Sequence, residues 1–444
     1  MATTYLEKTF GSDGNRDKWT YSVWIKRSGI GVATALIGAA TGSDFENITL
    51  RSSDDFDWEH YASSTYKGRL LTNRKFRDPG AWMHIVCVWD SANVTGGDRM
   101  KLYVNGVEET SFATDTNPTS GQDSLINSTA PQQVGNAGSG SQFFDGAMAH
   151  AHFCDGYAYA ASDFGETDST SGIWIAKSSP SVSYGSNGYF LKFQDTSAFG
   201  DDSSGNTNDF AVGAGTITQT QDTPVNNFCT ANPLDNYYAS ITYTNGNTTA
   251  TSSTPYGYSR ATQGVSAGLW YWEVKATTIS APDYVTGVAS TMSTGATIYP
   301  GKNAGSWSYV ATDGNSKNDG TGTSYGDTYS AGDIIGVYLD LTANKLYFAK
   351  NGTVQNSGTG ISITAPASTD DGVYAATAGV WSATGGTVSD FNFGNGYFGT
   401  TAVTSAVADA GGIGQFEYDP SAGTFDGSSK DFRAICTNNI ATYG

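Results

Sequence analysis

Trp82-Met-His-Ile-Val-Cys-Val-Trp89 and Leu269-Trp-Tyr-Trp-Glu-Val274 are bulky at almost every position, short, and rich in β-branched and aromatic residues. Such runs predict strands covered on both faces. The reading extends outward to Trp19-Thr-Tyr-Ser-Val-Trp-Ile25, Lys101-Leu-Tyr-Val-Asn-Gly106 and Ile334-Ile-Gly-Val-Tyr-Leu-Asp340, where side chains alternate along an extended chain. Asn105-Gly106, Asn245-Gly246, Asn351-Gly352 and Asp426-Gly427 sit where hairpins need positive φ, so consecutive strands should pair antiparallel. No window of helical length keeps an i, i+3, i+4, i+7 apolar stripe, and Gly or Pro interrupts those that begin one. The fold class is therefore all-β, as a sandwich or barrel.

The chain has 444 residues, enough for two or three compact units. Aromatics make up 13% and charged residues only 15%, with 55 glycines, so Ser, Thr, Asn and Gly carry the polarity. Burial of that aromatic content favours a folded chain over a disordered one. The net charge of −19 repels phosphate backbones and anionic lipid, which argues against nucleic acid and a bilayer surface as partners. No apolar run is long enough to span a bilayer, and Met1 to Phe10 lacks the order of a signal peptide, so a soluble chain without its own export signal is expected. Cys87, Cys154, Cys229 and Cys436 are widely spaced in apolar strand-like contexts and read as buried thiols.

Asn227-Phe-Cys-Thr-Ala-Asn-Pro233 and Arg433-Ala-Ile-Cys-Thr-Asn-Asn439 are variants of one phrase, each read as a strand closing a unit. A boundary is expected at Asn232 to Asp235, and a weaker one in the Ala/Gly/Thr-rich stretch Gly399 to Gly414.

Trp82-Met-His-Ile-Val-Cys-Val-Trp-Asp90, Lys101-Leu-Tyr-Val-Asn-Gly-Val107, Gln133-Val-Gly-Asn136 and Phe144-Asp-Gly-Ala-Met-Ala-His-Ala-His-Phe153 follow one another in an order that resembles the laminin-G or pentraxin-like branch of concanavalin-A-like folds. Gly268-Leu-Trp-Tyr-Trp-Glu-Val274, Thr286-Gly-Val288, Gly332-Asp-Ile-Ile-Gly-Val-Tyr-Leu-Asp340 and Lys345-Leu-Tyr-Phe-Ala-Lys-Asn-Gly352 are similar to the SPRY pattern, another concanavalin-A-like sandwich. The segments Asp155-Gly156, Phe164 to Asp168, Gly185 to Phe193, Ser204 to Phe210, Asp222 to Phe228 and Phe416 to Thr437 resemble laminin-G-containing structural proteins of tailed bacteriophages, of tail-fibre type. Together these resemblances imply two antiparallel jelly-roll sandwiches. They cover residues 1–160 and 233–400, with a connecting segment at 161–232 that packs on the first and a closing segment at 401–444. They imply binding modules and no catalysis.

Several constellations carry residue types capable of chemistry. Asp55-Phe-Asp-Trp-Glu59 puts three carboxylates on one strand face, as sandwich-fold glucanases do. On a straight strand alternate positions lie ~6.6 Å apart and the outer pair ~13 Å, too far for a glycosidase without a bulge. The plainer reading is a strand face balanced by Arg51, Lys67 and Arg69. His150, His152 and Cys154 share a strand face, but a zinc site would need ligands from elsewhere. The loop Asp201 to Asp209 is dense in oxygen donors, which makes Asp202 and Asp209 the candidate calcium ligands, and calcium the one candidate cofactor. No Ser/His/Asp triad or phosphate-binding loop occurs in a credible context. For sugar recognition, ring faces on loops are the requirement, and Tyr299, Trp307, Tyr309, Tyr325 and Trp381 are the candidates in SPRY loop regions. Trp82, Trp89, Trp270 and Trp272 are assigned to core.

The expected function is a virion-surface appendage protein, a homo-oligomer of three or more copies, binding host surface polysaccharide alongside other virion proteins. The competing class is a structural virion component, capsid decoration or tail hub, making only protein contacts. The third is a glycan hydrolase.

Overall fold

The computed structural model describes residues 3–138, 140–169, 171–235, 241–280, 283–290, 297–382 and 385–444. Its contacts divide the chain into two compact units, Met1–Gln219 and Thr220–Gly444.

In the first unit an eight-stranded antiparallel sheet runs in the order Phe112–Thr116, Thr65–Lys75, Asp55–Ala62, Asp44–Leu50, Thr34–Thr41, Gln132–Val134, Tyr5–Lys8, Ala211–Ala214. A six-stranded sheet faces it, in the order Tyr189–Leu191, Gly146–Asp155, Lys18–Arg27, Met83–Asp90, Met100–Val104, Val107–Glu108. The stretch from Trp82 becomes the strand Met83–Asp90, buried at every position because inward residues meet the opposite sheet and outward ones meet a second layer. Inward, Trp19, Trp58 and Trp89 are fully buried, with ring centroids 5.4 to 6.4 Å apart. Outward, Val86, Val88 and Cys154 pack under Ala161 and Phe164 of the segment that follows the last long strand. Asn105 and Gly106 take φ of 47° and 82°, the paired left-handed geometry of a tight hairpin, and Trp174 packs where a Gly106 side chain would stand.

The second unit repeats the plan. One sheet runs Ile241–Thr244, Thr249–Ser252, Thr387–Asn392, Leu269–Thr278, Ile334–Asp340, Lys345–Lys350, Thr353–Val354, and the other Tyr258–Arg260, Ala375–Val380, Tyr284–Ala289, Ser306–Val310, Asn315–Asn318, Thr321–Ser324. Trp270, Trp272, Val274, Val337 and Phe348 fill the space between them. The opposite side of the first of these sheets carries a row of tyrosines, Tyr271, Tyr338 and Tyr347, aligned across three strands. Phe416, Phe425 and Phe432 of the C-terminal segment cover that row.

The two variant phrases do not each close a unit. They pair with each other inside the second one: Phe228 bridges Cys436, the Cys229 N–H donates to the Ile435 carbonyl at 3.0 Å, and the Thr437 N–H donates to the Asn227 carbonyl at 3.0 Å. Two copies of one strand-forming phrase satisfy each other's backbone, which places residues 220–235 with the second sandwich. All four cysteines are buried free thiols. The one α-helix among the described residues is Thr437–Tyr443.

Candidate functional site

The five aromatic candidates separate by strand alternation. Trp307 and Tyr309 lie on the strand Ser306–Val310 and point inward; Trp307 is 5% exposed and Tyr309 0%. The Tyr309 hydroxyl donates to the Asp327 carbonyl, and the Tyr329 hydroxyl donates to the Tyr309 carbonyl at 2.8 Å. Tyr325 is also enclosed, its hydroxyl accepting the Phe348 N–H at 3.1 Å, and burial pushes its phenol up to about 12. These three are core side chains, not loop contacts. A ring that a loop displays and a ring that ends a strand look alike in a sequence window.

Tyr299 and Trp381 do come together, with ring centroids 4.4 Å apart and planes 30° from parallel. Tyr299 is mostly covered and Trp381 half-buried. The Lys317 ammonium stands 4.1 Å from the Trp381 ring and 5.6 Å from the Tyr299 ring, a cation–π arrangement that the sequence did not signal. Asp283 lies within the field of Lys317, while burial pushes its carboxyl upward. The result is a ledge of two stacked rings and one cation. It can stack on an apolar ring face and donate hydrogen bonds beside it.

Asp202 and Asp209 close the loop through hydrogen bonds. Asp202 accepts from Phe190 N–H and Ser204 N–H at 2.8 Å each, from the Ser204 hydroxyl at 2.8 Å and from Asn208 N–H at 2.9 Å. Asp209 accepts from Asp202 N–H at 2.9 Å. The four donors fill the lone pairs of Asp202, the ordinary behaviour of an Asx-rich turn. No group of three His, Cys, Asp or Glu side chains suited to a metal occurs among the described residues.

His150 takes φ of 50° at a bulge where the register slips between Ala149 and His152, and its ring sits 6.3 Å from that of His152. His152 is stacked on Phe190 at 3.9 Å and hydrogen-bonded to the Tyr184 hydroxyl at 2.9 Å. His84 contacts the Ser22 hydroxyl through Nε2 at 2.8 Å, which suggests a nucleophile and its base. Its Nδ1, however, accepts from the Trp174 indole N–H at 3.1 Å, so the ring proton sits on Nε2 and points at Ser22. Burial pushes this imidazole down to about 3, so it is neutral and already protonated on the side that faces the serine.

The acidic strand is ion-paired. Asp57 takes a bidentate pair from Arg69 at 3.0 and 2.6 Å, Asp55 takes Lys75 at 2.8 Å and Arg51 at 3.5 Å, and Glu59 lies 3.9 Å from Arg69. Burial and then the charge of Asp57 raise Glu59 above the usual carboxylate range. Burial also pushes Asp55 upward, but hydrogen bonds from Lys75 and Ser53 outweigh it and hold Asp55 low. A register shift does occur between Asp55 and Asp57, with the extra residues on the partner strand: Asp55 faces Lys75 and Asp57 faces Leu71. The acids therefore keep their extended spacing.

These features define a chain of two antiparallel β-sandwiches. Residues 2–162 match the family described as the concanavalin A-like lectin/glucanases superfamily, and residues 269–395 match the SPRY domain. A concanavalin A-like domain is thus followed by a SPRY domain. Among curated proteins the chain is 35% identical over 86 residues to Ran-binding protein 9 of Xenopus tropicalis, covering 19% of this chain and 16% of that protein. It is 34% identical over 96 residues to Ran-binding protein 10 of Danio rerio, covering 21% of this chain and 16% of that protein. The chain thus spans about a sixth of the length of these relatives. Among solved structures it is similar to the SPRY domain of human HERC1, at 20% identity and a TM-score of 0.29, covering 34% of this chain and 91% of that one. It is also similar to stonustoxin, at 20% identity and a TM-score of 0.29, covering 37% of this chain and 27% of that one.

Proposed function

We infer that this chain is a non-catalytic recognition protein of a bacteriophage appendage, of tail-fibre type, which binds host surface polysaccharide through the loop end of its SPRY domain. The observation that carries the reading is the Tyr299–Trp381 stack with Lys317 against it. Aromatic faces beside a hydrogen-bond donor are what a pyranose ring requires. The virion setting rests on the resemblance of residues 155–228 and 416–437 to tailed-phage structural proteins. Weak single sites would gain strength from repeated copies on one particle.

The test is a bacterial glycan array probed with the full chain and with Trp381→Ala. Retention on a defined polysaccharide, reduced about tenfold or more in the variant, supports the reading. An empty array, or retention indifferent to Trp381, overturns it. A second reading, protein contacts only, is favoured by the SPRY-region similarity to proteins named for Ran binding. It predicts an empty array together with a virion protein whose capture is lost in Trp381→Ala.

A further inference from the structure

We propose that residues 157–188 form an acid-released strap, which lets go of the outward face of the first unit's six-stranded sheet when His84, His150 and His152 take up protons. Three of the chain's four histidines lie on this one face, His84 on the strand Met83–Asp90 and His150 and His152 on Gly146–Asp155. The segment above them packs Ala161, Phe164, Trp174 and Tyr184 onto Val86, Val88 and Cys154.

The strap is tied at both ends. The Thr20 hydroxyl donates to the Tyr157 carbonyl and accepts the Tyr159 N–H, each at 2.9 Å, and Asp155 accepts the Ser186 and Asn187 N–H groups at 3.1 and 3.0 Å. Between those ends the hold is made on histidine. The Trp174 indole N–H donates to His84 Nδ1 at 3.1 Å, and the His84 ring lies stacked against Trp24 at 4.8 Å and Trp174 at 6.1 Å. Trp174 is seated between two glycines: a Cβ on Gly106 of the sheet or on Gly165 of the strap would come within 2.7 or 2.5 Å of its ring. Beside it, His152 Nδ1 is 2.9 Å from the Tyr184 hydroxyl, and its ring stacks on Phe190 at 3.9 Å and meets Phe164 at 5.2 Å.

This arrangement has no place for a further proton. On His84 it would arrive at Nδ1 and face the Trp174 N–H, donor against donor, because Nε2 already carries the proton that points at Ser22. Two indoles favour a cation modestly. Burial, and then the charge of His150, outweigh them and push His84 down to about 3, and burial likewise pushes His150 and His152 down. The charges that act on the three rings are one another's and that of Lys192. Asp163 acts on Cys154, Asp202 on Tyr184, and Glu108, Lys101 and Asp98 on Tyr103, all packed on the same face, while Lys26, on the strand of Trp24, stands opposite Ala147. Closed, the strap keeps the imidazoles neutral; open, they return to their ordinary 6.5 and bind protons. The hold they contribute is therefore full above about 6.5 and is lost as the pH falls toward about 3. Each freed imidazole favours the open form about thirtyfold at pH 5 and hardly at all at pH 7.5. Release bares Trp24, Val86, Val88 and Phe190, an apolar face.

Hydrogen exchange of the full chain, followed by mass spectrometry at pH 7.5 and pH 5 and corrected for the intrinsic pH dependence of exchange, tests this. Protection of residues 160–182 should fall about thirtyfold or more at pH 5, while the strand Asp44–Leu50 of the opposite sheet stays protected. His84→Gln should make the fall about thirtyfold smaller. If that variant loses Asp44–Leu50 protection at pH 7.5, His152→Gln takes its place with the same expectation. The proposal is overturned if the strap is equally protected at both pH values, or if it loses protection only in step with Asp44–Leu50. A folded variant whose strap responds to pH as the parent's does would also overturn it.

Discussion

Replacement of Glu273 by Gln should change the second unit's stability in a way that depends on pH and has a defined sign. Glu273 lies on a central strand, fully buried. Its Oε1 accepts from the Tyr271 hydroxyl at 3.0 Å and from Tyr418 N–H at 2.8 Å. Its Oε2 accepts from the Asn392 amide at 2.9 Å and from Glu417 N–H at 3.0 Å. Two of these donors are backbone groups of the C-terminal segment, so this side chain pins that segment across the sheet. Burial pushes the carboxyl up to about 7 despite those donors.

A folded value above the unfolded value of 4.5 means that stability from this group is full below about 4.5 and is lost as the pH rises to about 7. The loss amounts to about 3 kcal/mol at one unit per 1.4 kcal/mol. In the protonated form the acid hydroxyl donates to Tyr271 while its lone pair still accepts Tyr418 N–H. A Gln amide nitrogen in that place accepts nothing and strands a buried N–H, at about 2 kcal/mol. Glu273→Gln should therefore be about 2 kcal/mol less stable than the parent at pH 5, with the gap closed or reversed at pH 8. Urea unfolding followed by fluorescence of Trp270 and Trp272, at both pH values, measures it. A gap that widens with pH would refute the reasoning, because the anion would then be the form the segment holds.

Three further outcomes follow from the packing. Trp19→Ala, in the first unit's tryptophan cluster, should cost about 4 kcal/mol and remove the Ser124 hydrogen bond, and an unshifted calorimetric transition would contradict it. Asp57→Asn breaks a bidentate pair with a partner that is 21% exposed, so a loss of about 2 kcal/mol is expected, and Arg69→Ala should add little to it in a double-mutant cycle. The four buried thiols, with Cys87, Cys154 and Cys436 pushed up by burial, should resist alkylation until the chain unfolds, and prompt native labelling would count against the fold.

Much of the architecture was legible because alternation and turn chemistry are local. The run at Trp82 and the Asn105-Gly106 turn each encode their outcome within a few residues. The pairing of Phe228 with Cys436 was not legible in this way, since two like phrases far apart say nothing about whether they pair or cap separate units. The candidate site was the least legible part. Whether Trp307 faces in or out depends on a one-residue phase that the window does not fix, and the Lys317 contact with Trp381 joins residues from different strands and loops. Glu59 was visible as an acid, but its neutral surroundings required knowing that Arg69 lies directly opposite it. Composition marked the loop around Asp202 as rich in oxygen donors, but the backbone N–H groups of Phe190 and Asn208 that it accepts from could be placed only by the fold.

We propose recognition without turnover. The most direct measurement incubates the full chain with purified host polysaccharide and, on the same sample, scores both retained polymer and newly formed reducing ends. The account predicts retention, no new reducing ends, and the same result for Glu59→Gln. Shortened polymer whose production is abolished by Glu59→Gln, or no retention of polymer at all, would contradict it.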